Sequence, residues 1–212
     1  MKRQVMCEVQ DCIELYKTLQ SIKSRTFISS HHIYSARRGT ADLAMAYSLY
    51  DATVSMAVGA LKSLSQILAR AEEHPDSIRL LTARLADDMK PFHWQVHYAT
   101  FQAQYIAAKL SSVEYAEPEG DLDTYEKMHA RIQQALEALR EVDKATANDL
   151  GETTTEFARR DHMMEVPVKG VVGLWSMPNI YFHISMAYAI LRKEGVPLGK
   201  RDWSRGFVSE YI

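Results

Sequence analysis

Cysteine is nearly missing from this chain. Cys7 and Cys12 are the only two in 212 residues, and both lie near the N-terminus. Two thiols make neither a disulfide framework nor a zinc site, so a reducing, cytoplasmic setting is expected. Proline does not occur before Pro75, glycine is sparse, and β-branched alternation is rare. That argues against an extended β-sheet fold and leaves the helical period dominant. Neither sign of charge prevails: the formal net charge is −2, which leaves no electrostatic footprint for nucleic acid or an anionic membrane. No long apolar run opens the chain, because Glu8, Asp11 and Glu14 interrupt residues 1–20. Neither a signal peptide nor a membrane anchor is expected there. There is no nucleophile elbow, no CxxC and no Ser-His-Asp signature. Gly195 and Gly199 do not open a helix after a strand, as a phosphate loop requires.

What remains is an ordinary globular composition, 47% hydrophobic and 25% charged, enough for one domain. Residues 4–23 can be drawn as a short amphipathic helix, followed by a polar, basic linker with low order expected over 24–44. The spacing of Val54, Ala57, Val58, Leu61, Leu64, Ile67, Leu68 and Ala71 predicts a helix over 48–73. Ser48 or Asp51 is placed to cap it, and Pro75 to end it. A short helical stretch is expected over 77–86. The next helix starts with Pro91 in its first turn and runs to about Leu110. Then comes a loop, "SSVEYAEPEGD", and a third long helix over 122–142. Residues 145–167 are polar and threonine-rich; "TTTEF" and "MMEVPV" can pair as a small hairpin within 150–167. The last helix begins near Val168. Pro178 predicts a kink or restart within it, and Gly195 with Pro197 predicts its end. Four long helices with short connections predict an all-α four-helix bundle. The domain reading is an N-terminal extension over 1–45, the bundle over 46–206 and a tail over 207–212.

Polar residues interrupt the apolar faces in two places. His93 and His97, four apart, project from one side of their helix at metal-ligand spacing, with Trp94 where HExxH motifs carry glutamate. The plainer reading puts them on a solvated stripe with Thr100 and Gln104. A second arc of that helix collects Trp94, Tyr98, Phe101 and Tyr105, an apolar face that needs cover and could be a homodimer face. In the last helix Ile180, Ile184, Ala187 and Leu191 share an arc, and His183 lies at or inside its boundary beside Asn179. A buried imidazole must find partners, since an unmade bond costs roughly 1–3 kcal/mol. One reading has His183 and Asn179 bonding backbone groups freed around Pro178. The other makes them line a pocket with Gln95, Tyr181 and Tyr188. Lys200, Arg201 and Asp202 read as a surface charge cluster, with Trp203 anchoring the tail.

Three motifs, "SLYDATV" (48–54), "RLADDMKPFHWQV" (84–96) and "MPNIYFHISMAYAILRKEGVPLGKRDW" (177–203), resemble an uncharacterised helical-bundle family, a domain of unknown function within the DinB-like superfamily. The family is known from bacteria and filamentous fungi. The resemblance spans about residues 47–203 and implies a DinB-like four-helix bundle. Many superfamily members bind a divalent metal through three histidines, and some act as thiol-dependent transferases or hydrolases. His183 falls in the motif's "YFH" and Gln95 in its "QV".

Three functions follow as expectations. The first is a metal-free, cofactor-free bundle with a small internal pocket for a small apolar ligand, lined by Gln95, Asn179, Tyr181 and Tyr188. His183 would be the catalytic base of an isomerase or cyclase, or the protein an accessory of specialised metabolism. The second is a metalloenzyme holding zinc, nickel or iron through His93, His97 and His183. The third is a non-catalytic structural or dimerising protein.

Overall fold

The computed structural model describes residues 47–159 and 162–208. The chain divides into two units, Met1–Met45 and Ala46–Ile212, and the described residues all belong to the second. The helix expected over 4–23 and the stretch 24–44 lie outside the described residues.

Among the described residues, the second unit is a helical bundle with one small two-stranded sheet. Its first helix, α1, spans Asp51–Glu72. Ser48 and Asp51 cap it together. The Asp51 carboxylate accepts from the Ser48 backbone N–H at 3.0 Å and from its hydroxyl at 2.8 Å, while Ser48 Oγ accepts from the Asp51 N–H at 3.3 Å. The first turns, Asp51–Ser55, are π-helical before the regular segment Met56–Glu72. Thr53 gives a local cause: its hydroxyl donates to the Leu49 carbonyl at 2.7 Å and competes there with the backbone. By length and composition α1 could cross a membrane. Here its apolar stripe packs inside the bundle, with Leu61, Leu64, Ile67 and Leu68 fully buried.

The helix expected over 77–86 is only one turn, α2, Ser77–Leu80. The carbonyls that would extend it are engaged elsewhere: Leu81 and Ala83 accept from the backbone N–H groups of His93 and Phe92. These bonds satisfy the open start of α3, Phe92–Lys109. Pro91 therefore precedes α3 with an extended backbone (ψ 171°) and is not inside its first turn. α4 spans Tyr125–Arg140, and Thr124 caps it by accepting from the Lys127 N–H. An unexpected helix, α5, follows over Lys144–Gly151, with Asp143 accepting from the Thr146 N–H at 2.8 Å. The hairpin does form: β1, Thr154–Arg159, pairs antiparallel with β2, His162–Pro167, with Phe157 opposite Met164.

The last long helix, α6, begins with Val168–Gly170, widens into a π segment over Val171–Ser176, and continues regularly over Met177–Lys193. The interruption expected at Pro178 is this π segment: the α-helix resumes at Met177 with Pro178 in its first turn. Gly170 and Ser176 keep right-handed helical angles, and the missing N–H is accommodated by a wider turn just ahead of the proline. Gly195 ends α6 at φ 93°. Val196 N–H reaches back to the Leu191 carbonyl and Gly195 N–H to that of Arg192, the paired bonds of a glycine C-cap. Lys200, Arg201 and Asp202, read as a charge cluster, open a helix, α7, Lys200–Val208, so the tail drawn from 207 begins inside an element. Trp203 and Phe207 pack against the core, as expected for Trp203.

In the bundle, α3 lies against α6 and α4, and α1 lies against α6, α4 and α7; α1 and α3 are diagonal to one another. Leu110, Met128, Leu139, Ile180 and Ile184 fill the space between them.

Candidate functional site

On α6 the regular period downstream of Pro178 turns Ile180, Ile184, Ala187 and Leu191 fully inward. His183 follows them and is only 7% exposed. It faces α3, where Gln95 is 2% exposed. His183 Nδ1 and Gln95 Oε1 are 2.7 Å apart, and Gln95 Nε2 donates to the Lys90 carbonyl at 2.9 Å. That carbonyl is free because Lys90 precedes Pro91 and lies outside the helix. A carbonyl can only accept, so it takes the amide end of Gln95 and turns Oε1 toward the imidazole. Nδ1 must then carry the proton.

Burial pushes the His183 imidazolium down to about 4, so the ring is neutral at pH 7. Its second nitrogen, Nε2, holds the lone pair. It has no hydrogen-bond partner among the described residues, and it is not among the fully buried orphan atoms. Aromatic rings surround the imidazole, measured between ring centroids: Trp94 at 5.4 Å and Tyr98 at 4.7 Å on α3, and Phe182 at 5.0 Å on α6 itself. Trp94 stacks on Tyr98 at 4.9 Å, and the Lys90 ammonium lies 5.5 Å from the Trp94 centroid. The result is a half-buried aromatic shelf that presents the open imidazole nitrogen.

The other expected residues do not join this shelf. Asn179 Nδ2 donates to the Trp175 carbonyl at 2.7 Å, the backbone role foreseen for it beside Pro178. His183 takes no such role. Tyr181 turns toward α7 and meets Phe207 at 6.0 Å, where burial pushes its phenol up. Tyr188 is half-buried against the core.

His93 and His97 are not on a solvated stripe. His97 is 3% exposed and Thr100 fully buried, because the irregular segment 112–123 passes over them as a strap. His97 Nε2 meets Glu117 Oε1 at 3.3 Å, and Gly120 sits over the same ring. Tyr115 stacks on Phe101 at 5.9 Å and donates to Gln104 Oε1 at 2.6 Å. Part of the second aromatic arc is therefore covered from within the chain. Desolvation, then the charges of Arg84 and His97, lowers the His93 pKa. Among the described residues, no three His, Cys, Asp or Glu side chains come together as a metal set. His97 and His183 both contact Trp94, at 6.2 and 5.4 Å, and their Nε2 and Nδ1 atoms face Glu117 and Gln95.

A cleft of about 710 Å³ opens elsewhere, walled by Tyr105 and Lys109 of α3, Ser112 and Tyr115 of the strap, Thr155 of β1 and Val168 of α6. None of the residues expected to line a pocket borders it.

A family model described as "Domain of unknown function (DUF1993)" matches residues 49–204. Among solved structures, the chain is similar to the crystal structure of a DinB family member protein from Shewanella denitrificans. The two are 28% identical with a TM-score of 0.63, over 73% of this chain and 90% of that one. No curated protein matches.

Proposed function

The chain belongs to the DUF1993 domain family, and on that premise we propose that it binds a small, largely apolar molecule on the aromatic shelf around His183. The ligand donates one hydrogen bond to the imidazole Nε2. The observation that carries this reading is the polarised chain from the Lys90 carbonyl through Gln95 to His183 Nδ1. Buried polar groups are costly unless paired, so an open nitrogen on a buried ring is a ready acceptor for a ligand donor. Here one nitrogen is fixed by a second residue and the other is left open between Trp94, Tyr98 and Phe182.

The same burial limits the chemistry. With its pKa near 4 the ring is fully in its basic form at pH 7, yet it gains little from taking a proton. It therefore acts first as a hydrogen-bond acceptor for an O–H or N–H group. Isomerase or cyclase catalysis with His183 as general base requires a substrate whose departing proton is itself acidic.

Long-range ¹H–¹⁵N spectra of the His183 ring, recorded with a panel of phenols and indoles, test the proposal. Protonated Nδ1, a ligand-induced shift at Nε2 and weaker binding of the same ligand by His183→Phe support it. A ring protonated at Nε2, or a panel that leaves the ring unmoved, rejects it.

A further inference from the structure

The 710 Å³ cleft carries chemistry that the His183 shelf does not use. Lys109, in the last turn of α3, projects its ammonium to its rim. That ammonium donates to Thr155 Oγ1 at 2.9 Å and lies 5.4 Å from the Tyr105 ring. Among the described residues no carboxylate pairs with it. One neutral hydroxyl leaves two of its three N–H donors open. The Tyr105 hydroxyl likewise has no hydrogen-bond partner among the described residues, and burial pushes its phenol up, so it remains a donor. Ala108, Leu150 and Val168 supply apolar wall, with Tyr115 on the strap side. Glu114 also lines the cleft and is exposed.

The end of α3 shapes the rim. Ser112 has φ 56°, the only non-glycine residue in the left-handed region among those described. It is the left-handed residue that ends α3, with Val113 N–H reaching back to the Ala108 carbonyl at 2.9 Å. At this position it carries the chain from the end of α3 into the strap, which closes one side of the cleft.

We propose that this cleft is a second binding site, separate from His183, for a small aromatic carboxylate. The carboxylate sits on Lys109 Nζ and the Tyr105 hydroxyl, and the ring lies along Tyr115, Ala108 and Val168. The volume falls in the range of small-molecule sites and exceeds the needs of one or two fused rings. Glu114 sets the charge limit: a second carboxylate on the ligand meets a like charge. The competing explanation is that Lys109 only balances the negative end of α3.

The test uses the full chain with 1-naphthoate and, as its uncharged match, 1-naphthamide, followed by ¹H–¹⁵N chemical shifts. Naphthoate is expected to move Tyr105, Lys109, Ser112 and Thr155 and to bind about tenfold more tightly than the amide, one charge-assisted hydrogen bond's worth. Lys109→Gln is expected to remove that preference and Lys109→Arg to retain it, while His183→Phe leaves naphthoate binding unchanged. Equal binding of acid and amide, an unchanged preference in Lys109→Gln, shifts clustered at His183, or no binding at about 10 mM would each overturn the site. If Lys109→Gln instead lowers only thermal stability, the helix-end explanation holds and the proposal is wrong.

Discussion

His183 and Gln95 are bonded in one direction only: the imidazole Nδ1–H donates to the amide oxygen across 2.7 Å, because the Lys90 carbonyl holds the amide nitrogen at 2.9 Å. Three residues, on α3, on α6 and in the segment ahead of α3, thereby fix one tautomer of one ring. The pair also ties α6 to α3 within the apolar core, where a misaligned helix would leave both groups unpaired.

The first consequence is a pH dependence. The folded-state pKa of His183 is about 4 against an ordinary 6.5, so between these values the unfolded chain binds a proton that the folded chain does not. Stability is full above pH 6.5 and falls as the pH drops toward 4, by about 3 kcal/mol in all. Denaturant melts at pH 7 and pH 4.5 should show this loss, and His183→Phe should flatten it.

Gln95→Glu should move the ring the other way. A carboxylate facing Nδ1 favours the imidazolium, so the His183 pKa should rise by roughly two units. The variant also removes the donor to the Lys90 carbonyl and should be less stable than wild type at neutral pH. An NMR titration of the His183 ring protons checks the direction. A pKa left near 4 would show that the two side chains do not meet as described.

The strap over α3 offers a separable test. Tyr115→Phe removes the bond to Gln104 but keeps the stack on Phe101, and should cost about 1 kcal/mol. Tyr115→Ala removes both and should speed amide exchange over 112–121, with His97 becoming accessible. Unchanged exchange in the alanine variant would mean that the strap is held by Glu117 and the residues around Gly120 alone.

Gly206 governs how α7 sits on α1. A Cβ there would collide with the Gly59 carbonyl and the Ser63 backbone nitrogen, neither of which can swing aside. Gly206→Ala should cost about 1–3 kcal/mol or undock α7, read as a lower Tm and a red-shifted Trp203 emission. Gly199→Ala is the control, since its Cβ would meet only Asp202 Oδ2 at 3.7 Å.

The sequence foretold much of this where the helical period is unbroken. The α6 stripe from Ile180 to Leu191, its end at Gly195 and the inward place of His183 all follow from 100° steps along a regular helix. Gln95, at the edge of the α3 arc, was legible for the same reason. His97 was not, because what buries it is the strap, an irregular segment whose path no periodicity records. Tyr181 faces α7, and α7 hides in a sequence whose apolar residues are few: Trp203, Phe207 and Val208. α5 was missed because "KATANDLG" buries only Ala147 and Gly151, too little for a stripe. The cleft draws its walls from α3, the strap, β1 and the start of α6, residues that only tertiary packing brings together.

The π-helical turns of α6 have a geometric effect on that cleft. A π segment carries about one residue more per turn than an α-helix, so the chain ahead of it is rotated by roughly 100° about the helix axis. Val168 and the hairpin leading into it lie ahead of Val171–Ser176, while His183 lies behind. One surplus residue therefore sets the angular offset between the wall of the Lys109 site and the imidazole on the shelf. Deleting Gly173 would bring the two halves of α6 back into phase and swing Val168 away from its present place beside α3, leaving the His183 face where it is.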